Sequence, residues 1–199
     1  MGHGGDGGAG QEQDPLADCI YILNGRCLMA GPGHPEPVES VTLADIEQFR
    51  PEAGIDSMEP NGWAIVDLDA NFFATSSSHV IDGALFGQAA SVRFTPVAWR
   101  WDYGDGTSLT AGDPGASWEA LGLGEFDPTP TSHVYRLSGT YSITLHVEYA
   151  VEYRFATSPW VAIVGTLSLA TNTLEATVGD AQTVLVDRDC GQNRAGPGC

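Results

Sequence analysis

Along residues 97–103 apolar and polar positions alternate, with Val97, Trp99, Trp101 and Tyr103 on one side and Ala98, Arg100 and Asp102 on the other. A repeat of two residues is that of a β-strand with one buried and one wetter face. The strand runs into Gly104-Asp105-Gly106. Glycine reaches positive φ without a Cβ clash and an aspartate can bond the backbone of its own turn, so the chain should reverse direction there. Further on, Tyr141, Ile143, Leu145 and Val147 share one face while Ser142, Thr144, His146 and Glu148 share the other, which predicts an antiparallel strand solvated on one side. The same period predicts strands at 63–68, 72–75, 89–95, 97–103, 141–149 and 151–155, then at 160–164, 166–171, 174–177 and 183–186.

Two stretches depart from this pattern. Thr42 stands where a cap would precede 43–49, with Asp45 in the capping-box position, Leu43, Ile46 and Phe49 on one side, and Pro51 beyond the end. This predicts one short helix. The apolar run 20–23 before Asn24-Gly25 predicts a brief strand or hairpin. The chain therefore reads as all-β, a sandwich with one short N-terminal helix and additional C-terminal strands. The expected organisation is a Gly- and acid-rich disordered tail at 1–18 and an N-terminal extension with the helix at 19–62. The sandwich follows at 63–187, interrupted by an insertion at 111–131, and a Cys-bounded tail closes the chain at 188–199.

Three runs carry more than periodicity: Trp99-Arg100-Trp101-Asp102-Tyr103-Gly104-Asp105-Gly106-Thr107, then His133-Val134-Tyr135, then Gly139-Thr140-Tyr141-Ser142-Ile143-Thr144-Leu145-His146-Val147. Their order and spacing resemble the PKD domain, with Tyr103 in place of the usual Phe, Val134 in place of Thr, and Ile143 in place of the first Val. The resemblance covers about residues 64–155, and a minimal domain of that family would lack the insertion. It implies an immunoglobulin-like sandwich in which Trp99, Trp101, Tyr103, Gly104, Gly106, His133, Tyr135, Gly139 and Tyr141 have structural roles. Trp101 corresponds to the tryptophan that such sandwiches bury on a central strand, and Tyr141 sits where a tyrosine corner would tie a loop to its strand. The family further implies an extracellular or cell-surface module, usually non-enzymatic, and names no single ligand.

Charge narrows the partners. Twenty-six acidic residues face eight basic ones for a formal charge of −18, so neither nucleic acid nor anionic lipid is an expected partner. Every basic residue is an arginine. The missing lysine excludes a Walker-type phosphate loop, a Schiff-base site and a Lys–Asn isopeptide staple. No run reaches membrane-spanning length, and residues 1–10 lack the basic start and apolar core of an export signal. A secreted reading then expects the recorded chain to start after its leader, or the true start to lie upstream.

The four cysteines fall as Cys19 with Cys27 and Cys190 with Cys199. Even count and terminal placement predict disulfides and an oxidising compartment. Local closure of each pair is the favoured connectivity, and a bridge between the two ends of the chain is the alternative. Neither pair has the short spacing of a structural zinc site.

Candidate chemistry is sparse. Asp102, Asp105, Asp113 and Asp127 are weak calcium candidates, because calcium takes several oxygen ligands, but turn aspartates more often cap backbone amides. The histidines are dispersed, without a His-Glu-x-x-His motif, a Gly-x-Ser-x-Gly elbow or a Ser-x-x-Lys. No cofactor and no catalysis are expected. The insertion carries Trp118, Leu121, Leu123 and Phe126 on what should be a surface connection. Two readings stay open: these side chains fold back over a sheet edge, or they contact a sugar ring or protein partner. The resulting expectation is a non-catalytic extracellular or cell-surface module that mediates protein or glycan interaction or serves as a spacer. Its partner would be a cell-envelope or secreted protein, or a glycan. The rival is an accessory region or subunit of a secreted hydrolase, which needs a cleft with paired carboxylates, one of raised pKa.

Overall fold

The structure is a computed structural model that describes residues 19–23, 26–30 and 41–181. The expected tails at 1–18 and 188–199, the strand at 183–186 and the cysteines Cys190 and Cys199 lie outside the described residues.

β1 (Cys19–Leu23) and β2 (Arg26–Ala30) form the hairpin that Asn24-Gly25 announces. Its register sets Cys19 opposite Ala30 and Cys27 opposite Ile22, so the two cysteines stand at different rungs of the ladder. The expected helix at 43–49 is a single 3-10 turn, Leu43–Ile46. Asp45 does hold its start, accepting from the Thr42 N–H at 2.8 Å and from the Thr42 hydroxyl at 2.7 Å. The segment before Pro51 closes in i→i+3 bonds, the tighter form that short pieces of helix adopt. Ile46 and Phe49 are nonetheless buried.

The remaining strands are β3 (Ile55–Glu59), β4 (Trp63–Ile65), β5 (Asp69–Thr75), β6 (His79–Leu85), β7 (Gln88–Asp102), β8 (Ser108–Ala111), β9 (His133–Val134), β10 (Gly139–Phe155), β11 (Val161–Ala170) and β12 (Leu174–Gly179). A single α-helical turn, α1 (Trp118–Leu121), lies between β8 and β9. Seven strands make one sheet in the order β4-β12-β10-β7-β6, with β11 added on β10 and β8 on β7. β3, β5 and β9 make the opposing sheet. The sandwich is thus present as expected; of the additional C-terminal strands, those expected at 160–164 and 166–171 are the single strand β11 and that at 174–177 is β12.

The axis of the larger sheet is the antiparallel ribbon of β7 and β10, paired from Thr144 with Asp102 to Phe155 with Ala90. Here the strand reading needs correction. The segments expected at 89–95 and 97–103 are one strand, as are those at 141–149 and 151–155. Ala98 pairs with Glu148 and Pro96 with Tyr149, which leaves Val97 as an extra residue in a bulge. One extra residue exchanges the two faces, because side chains alternate with period two. Ala90, Val92 and Phe94 therefore face the same core as Trp99, Trp101 and Tyr103, while Val97 is 44 % exposed. The bulge also places Pro96, which has no N–H to give to a ladder, where pairing is already broken.

β10, although read as two segments, keeps one face inward over its whole length. Ile143, Leu145, Val147, Tyr149, Val151, Tyr153 and Phe155 are all buried on one side. Its first half pairs with β12 and its second half with β11. From the other sheet Met58, Ala70, Phe72 and Ala74 close the core.

Candidate functional site

The signature residues build a brace at one end of the sandwich. Tyr103 stacks on His133 with ring centroids 4.2 Å apart and 5° between planes, and lies 5.0 Å from Phe72 of the opposing sheet. The Tyr135 hydroxyl donates to the Tyr103 carbonyl at 3.0 Å, and Tyr135 stacks on Tyr141 at 4.6 Å. The Tyr141 hydroxyl donates to the Leu137 carbonyl at 3.0 Å, the tie of a tyrosine corner. Gly104 has φ +79°, and a Cβ there would lie 2.5 Å from the Ser142 carbonyl oxygen. Gly106 is also at positive φ, and Gly139 opens β10 beside Tyr141. Trp99 donates to the Ser76 hydroxyl at 3.0 Å.

The four calcium candidates are not brought together. Asp102 accepts from the Gly104 N–H, Asp113 from the Gly115 N–H and Asp127 from the Gly124 N–H, at 2.8–2.9 Å. Asp105 accepts from the Thr107 N–H and hydroxyl and meets His133 Nε2 at 2.7 Å. Burial pushes Asp105 up, but the Thr107 hydroxyl, the Thr107 N–H and His133 outweigh it, so its carboxyl titrates below the usual range. Among the described residues no group of three His, Cys, Asp or Glu side chains could hold a metal ion.

The insertion is built onto the sandwich by one buried polar hub. Asn71 of β5 is fully buried; its amide donates to Glu59 Oε2 at 3.1 Å and to the Ala116 carbonyl at 2.9 Å, and its oxygen accepts from the Thr129 hydroxyl at 2.7 Å. Each end of the insertion is thereby tied to β5, and Glu59 Oε2 also accepts the Trp118 N–H at 2.8 Å. Ser117 caps the helical turn by accepting from the Ala120 N–H, and Gly122 closes it at φ +70°. Trp118 is folded inward, 5 % exposed, with its indole N–H donated to the Asp127 carbonyl at 2.9 Å.

What remains outside is an aromatic and apolar surface. Trp118 meets Phe126 at 5.8 Å, Phe126 meets Trp63 edge-on at 6.1 Å, and Trp63 is 45 % exposed. Leu121 and Leu123 are also exposed. Beside them lies a cleft of about 440 Å³ lined by Glu59, Pro60, Trp118, Glu119, Leu123 and Glu125. Of the four contact candidates, then, Trp118 lies under the surface, Phe126 is half-buried in it, and Leu121 and Leu123 are on it. Trp63 was not among them. Its signal was its place at a strand start after Asn61-Gly62, with the buried Ala64 next to it, so that alternation turns the indole outward.

Two packed sheets, a central buried tryptophan and a tyrosine corner define an immunoglobulin-like β-sandwich module. Within that class, residues 82–157, from β6 to just past β10, match the family model described as PKD domain. No curated protein and no solved structure matches the chain. PKD domains are extracellular, adhesion-type modules and are typically non-catalytic. No helix among the described residues is long and apolar enough to cross a membrane.

Proposed function

We propose that this chain is a non-catalytic extracellular or cell-surface module that binds a glycan of its own or a neighbouring envelope through the surface around Trp63. The observation that carries this reading is the exposed Trp63 ring, set edge-on against Phe126 beside the cleft that Glu59, Glu119 and Glu125 line. A half-exposed indole offers a flat apolar face of the kind that stacks on the C–H face of a pyranose, and carboxylates accept hydrogen bonds from ring hydroxyls. The Asn71 hub supports the same reading, because it holds the platform on strands and not on a free loop. A formal charge of −18 favours neutral sugars over acidic ones at this acid-rimmed cleft.

The hydrolase reading lacks comparable support. The carboxyl with a raised pKa among those described is Asp56, which is 2 % exposed and lies in the core against Trp101, away from the cleft lining. A panel of neutral oligosaccharides assayed by calorimetry tests the proposal. Binding should be lost in Trp63→Ala while the melting temperature falls by no more than about 4 °C. A panel with no binder, or binding that survives Trp63→Ala, rejects it.

A further inference from the structure

A second place on the molecule, sharing no residue with that surface, has the chemistry of a binding site. Val92 and Phe94 on β7 and Tyr153 and Phe155 on β10 point into the core. Their neighbours Arg93, Glu152 and Arg154 therefore project from the outer face of the sheet. Trp160, half-buried just before β11, lies against both arginines, with each guanidinium carbon 4.4 Å from the ring centroid. The two cations are not treated alike. Arg93 gives Nε and Nη2 to the same oxygen of Glu152, the first at 2.8 Å. Arg154 has no hydrogen bond and no carboxylate among the described residues, and its Nε is buried without a partner.

Among the described residues Arg93 and Arg136 have an ion pair and Arg50, Arg100 and Arg154 have none; Arg154 differs from the other two in lying on an indole with its Nε buried. Acids outnumber arginines 26 to 8, Arg136 is paired with Asp67, and the Ser168 hydroxyl first, then the Thr166 hydroxyl and the Arg100 and His146 charges, hold Glu148 below the usual carboxylate range against its burial. Two guanidinium groups on one indole with one carboxylate between them leave an excess positive charge. Stacking fixes the guanidinium plane against the ring and leaves its edge nitrogens as a preset fork, the geometry that matches a planar carboxylate. Cation–π contact with Trp160 leaves the guanidinium charged, so Arg154 still attracts an anion. Asp82 shares this face and accepts from the hydroxyl of Ser91, which stands opposite Arg154, so it opposes an anion locally; the field of the more distant acids is screened at physiological salt beyond about 8 Å.

We infer that Arg154, held on Trp160 beside Arg93, is a binding site for a carboxylate group of a ligand. A uronate sugar and an acidic amino-acid side chain carry the same group and are separated by the probes.

The test is a titration of the folded full chain followed by NMR at the Arg154 Nε–H and the Trp160 indole N–H. The probes are glucuronate, N-acetylglutamate, glucose and sodium chloride at matched ionic strength. Glucuronate should shift both resonances saturably, and glucose and chloride should not. An equal response to N-acetylglutamate supports a site for the carboxylate alone, whereas a response to glucuronate only supports a uronate site. Arg154→Lys keeps the charge and removes the fork; it should weaken the response at Trp160 at least tenfold. Arg154→Met keeps the stem and should abolish it, with the dispersed amide spectrum showing that the variant is folded. Absence of saturable shifts, the same shifts with glucose or chloride, or undiminished shifts at Trp160 in Arg154→Lys overturns the inference.

Discussion

The indole N–H of Trp101 donates to Oδ1 of Asp56 at 3.1 Å, and this bond joins the two sheets through the middle of the core. Its acceptor is a carboxyl group only 2 % exposed whose Oδ2 has no partner. The backbone of Asp56 is fixed from the side: its N–H donates to Asn172 Oδ1 at 2.8 Å, and the Asn172 amide donates back to its carbonyl at 3.0 Å. Burial raises the Asp56 pKa to about 7, against the opposing pull of the bonds from Trp101 and the Ser57 backbone.

This pair makes stability depend on pH in a definite direction. The folded state keeps the Asp56 proton up to about pH 7, while the unfolded chain releases it near 3.8. The contribution is therefore complete below about pH 4 and is lost as pH rises through 7. The whole effect is on the order of 4 kcal/mol at most. Urea unfolding at intervals between pH 4 and 8 should show Asp56→Asn gaining on the parent as pH rises. Parallel profiles for the two proteins would falsify the assignment of Asp56 as the titrating group.

Trp101→Ala should be the more damaging change on the same bond. It empties the volume of a fully buried indole, which costs about 3–5 kcal/mol, and it removes the one donor that Asp56 Oδ1 has from the other sheet. Equilibrium unfolding measures it, and a variant within about 1 kcal/mol of the parent contradicts the packing described.

Gly104→Ala should destabilise without touching any side-chain contact. The residue sits at φ +79°, and the added Cβ would fall 2.5 Å from the Ser142 carbonyl oxygen at the start of β10. Positive φ and a backbone clash together exceed the roughly 1 kcal/mol of an ordinary left-handed alanine. Gly106→Ala is the matched control, since it has the same sign of φ, at +89°, and no atom within 4 Å. Melting temperatures should fall further for position 104 than for 106.

The elements readable from the chain are those whose polarity follows their burial. β10 alternates without a break over its inner face, and the Gly104-Asp105-Gly106 turn declares itself by residue type. β3 does the reverse: Ile55 is 60 % exposed and Asp56 is buried, so a segment whose pattern predicts no strand is a strand of the smaller sheet. β6 was missed for a similar reason, because only Leu85 of its residues is buried and Gly83 interrupts it to admit Phe49, whose ring carbon would lie 2.8 Å from a Cβ there. The bulge at Val97 hides the unity of β7, since a one-residue shift of phase looks in sequence like two strands. The platform was half legible. Its apolar residues in the insertion stand out, but which of them turn inward depends on Asn71 and Glu59, distant in the chain and unremarkable by type.

Those inward and outward assignments lead to opposite expectations for two tryptophans that are neighbours through Phe126. Trp118 is 5 % exposed and bonded through its indole N–H to the Asp127 carbonyl, so Trp118→Ala should cost about 3 kcal/mol or more and loosen the insertion with it. Trp63 is 45 % exposed and its ring has one aromatic neighbour among the described residues, at 6.1 Å, so Trp63→Ala should cost no more than about 1 kcal/mol. Variants that keep a single one of these tryptophans, with the others replaced by phenylalanine, separate them by fluorescence if the Trp101→Phe background stays folded. Trp118 should emit blue and resist iodide, whereas Trp63 should emit red and be quenched. If Trp63 is the protected ring and Trp118 the quenched one, the insertion is folded the other way round, and Trp118 returns as the contact residue.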